Sequence, residues 1–167
     1  VSTGKDLIFL DRSGVRSLAR TIQEKSSPIG DISKNVNNDI KNLTASETGN
    51  ISLHYSPKEA FVLVNFPVLQ TVYVFDTRFP LQDGSYRATT WSSMSPLRFT
   101  NLVDDTIYIG NATGIAEYDS YTDGTGSYQL SYFSHPLAFG DSSVLKFLKK
   151  VNLTTFDGSE ATVVLNW

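Results

Sequence analysis

Apolar and polar positions along the chain fall into one recurring unit: an apolar strand, a tight turn and a second strand. The unit reads LIFLDRSGVRSL at 7–18 and TIYIGNATGIAEY at 106–118, with a looser copy, AFVLVNFPVLQTVYVFD, at 60–76. Turn centres near Gly14, Val68 and Gly114 give a spacing of roughly 45 to 55 residues, close to a blade period in a β-propeller. One such unit cannot bury both of its faces alone, so the repeat predicts stacked neighbours.

Leu7–Leu10 is apolar on both faces, which fits a strand between two layers better than a one-sided strand. Ser13-Gly14 supplies the turn that closes the first hairpin. The pattern then changes. DISKNVNNDIKNL places Ile32, Val36, Ile40 and Leu43 on one face of a helix over 31–43, with Asp31 or Ser33 capping its start. The polar run 44–50 reads as a loop.

Strands are predicted at 52–55, 61–65, 72–76 and 87–91, the last after a turn at Asp83-Gly84. Four strands are the content of one blade. LRFTNLV, TIYIG and GIAEYD supply the next, and residues 2–19 read as the middle of the preceding one. After Tyr121 the pattern shifts again, and SYQLSYFS, VLKFLKKVNLTTF and ATVVLNW read as strands of a separate small β-domain.

The expected fold is therefore all-β and mainly antiparallel. Incomplete propeller-like blades with one short helical insertion occupy 1–119. A small β-domain, or the start of a next module, occupies 120–167. Phe9, Val62, Val74, Trp91 and Ile107 are the expected buried core. The chain starts at Val1 without methionine and stops at Trp167 straight after a strand-like run, so it is expected to be a piece of a longer protein.

Composition narrows the function classes. Fourteen basic and 17 acidic residues give a net charge of -3, a weak field that argues against an electrostatic nucleic-acid binder. The 10 Phe, 8 Tyr and 2 Trp suit strands. With no cysteine, disulfides and thiolate metal sites are excluded. No apolar run is long enough to span a bilayer as a helix, so membrane insertion is not expected.

Candidate chemistry is sparse. His54 and His135 lie outside any metal-ligand spacing, and their expected roles are structural or at the surface. Asp83-Gly84, Asp123-Gly124 and Asp157-Gly158 read first as turns. Asp119 and Asp123 offer oxygens to Ca²⁺ but lack the EF-hand pattern. No cofactor or metal is expected, and no enzyme activity. There is no GxSxG elbow and no phosphate-binding loop. Four Asn-x-Ser/Thr sequons, at Asn42, Asn50, Asn111 and Asn152, are within chance for so Ser- and Thr-rich a chain. Asp104, Asp105, Glu117 and Asp119 are the candidates for paired carboxylates in glycoside hydrolysis; the competing reading is a solvated loop. Trp91, Tyr73, Tyr86 and Phe79 gather around the run 76–91, as a sugar platform or, preferably, as blade-edge packing with Arg78 and Arg87 paired to carboxylates.

Several stretches resemble one phage family. They are LIFLDRSGVRSLARTIQEKS, DISKNVNNDI, VYVFDTRFPLQDGSYRATTW, IYIGNATGIAEYDSYTDGTGSYQLSYFS and VLKFLKKVNL, which together cover most of the chain. In that order they are similar to the nozzle, tail tubular B or DNA-stabilisation proteins of short-tailed double-stranded DNA phages. The resemblance implies a propeller-containing subunit of a ring, usually a hexamer, in the virion tail. Such a ring continues the DNA exit channel and contacts portal-adaptor and tail proteins. The family carries no catalytic residues, and its members are several times longer than this chain. A second reading stays open: a tail domain that binds or cleaves host-surface glycans. The first reading also implies weak DNA binding, and self-association through exposed β edges.

Overall fold

The computed structural model describes residues 1–24, 32–92 and 96–118. They all fall in the first of the two units into which the chain divides, Val1–Gly124. The fold is mainly antiparallel β. A hairpin pairs β1 (Ile8–Asp11) with β2 (Gly14–Ser17). Two helical segments follow: α1 (Leu18–Glu24), and a 3-10 turn (Lys34–Val36) that leads into α2 (Asn37–Ser46). Next comes a four-stranded meander of β3 (Ser52–Ser56), β4 (Phe61–Phe66), β5 (Thr71–Asp76) and β6 (Arg87–Ser92). A three-stranded meander, β7 (Arg98–Asn101), β8 (Ile107–Gly110) and β9 (Ile115–Glu117), completes the described part.

Strand alternation dictates the layering. Side chains at successive positions point to opposite faces, and in the register Val62↔Phe75↔Ala88 these three share a face, as do Leu63↔Val74. Val62, Val64, Phe66, Tyr73 and Phe75 pack against Ile8 and Val15 of the hairpin and against Ile32 and Ile40. Leu63, Val72 and Val74, on the opposite face, meet Ile107 and Ile109 of β8, flanked by Phe61, Trp91 and Phe99. The central sheet is thus covered on both sides, and β4 and β5 are apolar at nearly every position for that reason.

Val62, Val74 and Ile107 are buried, but two expected core residues are not. Phe9 is half-buried, and its neighbour Ile8 enters the core instead. The hairpin register puts Ile8 and Val15 on the inner face, leaving Phe9 beside Arg16 on the outer one. Leu7–Leu10 is therefore covered on one face rather than two. Trp91 is also half-buried, because β6 is the last strand of its sheet and Trp91 lies at that margin, against Val72 on one side only.

The helical insertion differs from expectation in detail. Residues 32 and 33 do not begin a helix, because the hairpin holds them. The Ile32 N–H donates to the Val15 carbonyl at 2.9 Å, and the Val15 N–H donates to Ser33 Oγ at 2.9 Å. Ser33 therefore caps nothing; its hydroxyl serves the hairpin. The helix proper runs to Ser46, into the stretch expected to be loop. Gly14, with φ of 131°, lies against Asn37 and Ser33, and a Cβ there would collide with both side chains.

α1 is an addition. Ser17 Oγ accepts the Arg20 N–H at 3.1 Å and Asp6 Oδ1 accepts the Ala19 N–H at 3.0 Å, so two of the orphan donors of the first turn are satisfied. Arg20 then reaches the Gly84 carbonyl and lies over the Tyr86 ring, clamping the β5–β6 loop.

Candidate functional site

The meanders place one set of turns at a common end. The β3–β4 turn, the β5–β6 loop, the β7–β8 turn and the end of β9 all lie there, because Ser56 pairs with Phe61, Asp76 with Arg87 and Asn101 with Ile107. Lys58 of the β3–β4 turn spans to the next sheet, donating to Thr106 Oγ1 at 3.0 Å. On the same seam His54 Nε2 lies 2.9 Å from Asn101 Oδ1 and its ring stacks on Phe99, while Asn101 Nδ2 donates to the Tyr55 carbonyl at 2.9 Å. Farther along, the buried Asn65 donates to the Pro96 carbonyl at 2.7 Å. His54 is thus a seam residue; His135 lies outside the described residues.

The carboxylate candidates among the described residues, Asp104, Asp105 and Glu117, are engaged in local turn and strand contacts. Asp104 accepts from the Thr106 hydroxyl at 2.7 Å and from the Thr106 backbone N–H at 3.3 Å. The Thr106 hydroxyl first, then that N–H and the Lys58 charge, hold its carboxyl below the usual range, which suits an anion and not a proton donor. Asp105 closes the turn with a φ of 60°, its N–H bonded to the Leu102 carbonyl at 3.0 Å. Glu117 sits on β9 opposite Tyr108 and shares no hydrogen bond with either aspartate. Asp119 lies outside the described residues, as does Asp123. Among the described residues no His, Asp and Glu cluster could hold a metal ion.

The expected aromatic gathering is divided by the pleat. Tyr73 faces α2 on one side of the sheet, where burial first and the Asp39 charge second raise its phenol pKa. It lines an open dimple of 320 Å³ with Asp39, Asn42, Leu43 and Thr71. Tyr86 lies under Arg20, and Phe79 projects into solvent. Only Trp91 joins a groove.

That groove, of 230 Å³, is lined by Phe61, Val74, Asp76, Arg78, Arg87, Thr89, Trp91 and Tyr118. Trp91 and Tyr118 stack with centroids 5.1 Å apart. Arg78 lies over the Phe61 ring at 5.8 Å and binds Asp76 in a fork, Nε to Oδ1 at 2.9 Å and Nη2 to Oδ2 at 2.6 Å. Those Arg78 hydrogen bonds keep the Asp76 carboxyl below its usual range, with the Arg87 charge adding to the effect. Arg87 stands opposite Asp76 in the ladder, and its charge acts on that carboxylate. The groove therefore offers two guanidiniums, one carboxylate, a hydroxyl and a stacked aromatic pair. Sequence reasoning named Trp91, Arg78 and Arg87, and missed Phe61 and Tyr118. The register that aligns Phe61 with Asp76 and Arg87 is the signal for the first; Tyr118 is brought in by tertiary packing alone.

Comparison of the chain with family models, with characterised proteins and with solved structures finds no match.

Proposed function

We propose that this chain is a virion structural module, part of a nozzle or tail-tube subunit of a short-tailed double-stranded DNA phage. In this reading copies of the parent subunit form a ring that continues the DNA exit channel and docks on portal-adaptor and tail proteins. The observation that carries it is the stack of small antiparallel sheets, the central one buried on both faces. Consecutive propeller blades pack in this way, and the sheets recur at the period of the sequence unit. The resemblance of the ordered stretches supplies the phage context. The test is immunogold labelling of purified virions with antibodies against this chain. Label at the tail, below the portal vertex, is the expected result; label on the capsid, or a chain absent from virions, refutes the reading.

A second reading has a specific observation in its favour. The groove of Trp91, Tyr118, Arg78 and Arg87 joins an aromatic pair to hydrogen-bonding charges, the chemistry of a carbohydrate contact. It makes the module one that touches host-surface glycans. A glycan array probed with this chain tests it.

A further inference from the structure

Three features of the groove at the turn end of β5 and β6 bear on what it takes. The first is charge. In the lining itself two guanidiniums, Arg78 and Arg87, face one carboxylate, Asp76, while Glu59 acts on Arg78 from outside it, so cations outnumber anions at the groove wall. Arg78 spends Nε and Nη2 on Asp76, which leaves Nη1 and the whole Arg87 guanidinium for a ligand. A monoanion suits that excess. A phosphate dianion would over-compensate it and crowd the ionised Asp76. The second is apolar surface. The Trp91–Tyr118 pair lies in the same lining, its rings stacked on each other, and supplies aromatic surface beside the charges for the C–H side of a ring. The third is size and polarity. At 230 Å³ the groove is smaller than the roughly 300–1,000 Å³ typical of sites for drug-sized ligands, which fits one ring. Asp76 accepts from hydroxyls, and Thr89 both donates and accepts.

We propose that this groove binds one acidic sugar ring, a uronate unit of a polysaccharide, its carboxylate held by Arg78 and Arg87 and its apolar side packed against the Trp91–Tyr118 stack. The assignment deepens the glycan-contact reading and is independent of the virion role. A planar carboxylate suits the Arg87 guanidinium fork, and the pre-formed Asp76–Arg78 pair fixes Arg78 Nη1 in place before the ligand arrives. A single ring in so open a groove binds weakly, with a Kd of about 0.1–1 mM. Useful adhesion then comes from many copies on a repeating polymer.

The test is a chemical-shift titration of the full chain with glucuronate, glucose and inorganic phosphate, read at the indole N–H of Trp91. Glucuronate is expected to saturate, with glucose at least about tenfold weaker and phosphate weaker as well. Arg87→Gln, at an exposed position, should keep the fold and weaken glucuronate about tenfold, the effect of losing one charge-assisted hydrogen bond. Unchanged affinity in Arg87→Gln overturns the assignment, and so does phosphate binding more tightly than glucuronate. Glucose binding here as tightly as glucuronate overturns the acidic assignment and keeps the glycan-contact reading. If neither these sugars nor an array of neutral and acidic glycans binds, both fall.

Discussion

Replacing Ile107 by alanine asks whether the β7–β9 sheet truly closes over the central one. Ile107 is 1% exposed, and it packs with Leu63, Val72, Val74 and Ile109. Three of these neighbours belong to the central sheet. The substitution removes three side-chain carbons, and at about 0.8 kcal/mol per buried methylene the lost transfer energy is about 2.4 kcal/mol. The cavity left behind raises the cost to about 3 kcal/mol, within the range for such truncations. Were the two sheets apart, Ile107 would line an open face, and the cost would fall within about 0.5 kcal/mol of zero. Urea unfolding followed by far-ultraviolet circular dichroism separates the two outcomes, with Val103→Ala on the exposed β7–β8 turn as the control. Ile107→Ala should lower the midpoint at unchanged slope and lower Tm by about 10 °C. A loss under about 1 kcal/mol, or one equal to the control's, would refute the stacked-sheet account.

Three further perturbations follow from local chemistry. Gly14→Ala should destabilise by about 1–3 kcal/mol in the same unfolding assay, since the left-handed φ is strained for alanine and the added Cβ meets Asn37 and Ser33. Asp6→Ala should cost about 1 kcal/mol at neutral pH by uncapping α1. Burial opposes ionisation of Asp6, but hydrogen bonds from Ser17, Ala19 and Leu7 outweigh it and leave the carboxyl below its ordinary pKa. Its contribution is therefore complete above the unfolded value near pH 4, and is lost as pH falls through the lower folded value; unfolding curves of wild type and variant should converge in acid. His54→Ala should cost about 1 kcal/mol by removing the partner of Asn101 and the ring on Phe99, and exchange protection of the β7 amides should fall with it.

Much of the fold follows from the chain order of residues alone. Apolar runs, alternating or continuous, bounded by Gly, Pro and Asp-Gly place β3 to β9 and the first hairpin, because strand formation answers to local patterning and turn chemistry. The Asp83 side chain bonding the Ser85 N–H at 3.1 Å is such a local device. What the sequence could not choose was partnership. Phe9 and Ile8 are equally apolar, and only the register of the hairpin against Ile32 and Ile40 decides which of them goes inside. Ser33 is as good a helix cap as a sequence offers, yet the Val15 N–H, 18 positions earlier, claims its hydroxyl. Trp91 has the composition of a core residue, but its strand lies last in the sheet. The same holds for the groove: Arg78 and Asp76 are neighbours in sequence, whereas Phe61 arrives from β4 and Tyr118 from the residue after β9. Local pattern determined the elements because their energetics are local. Tertiary structure decided faces, edges and the groove, because these depend on which surface each element meets.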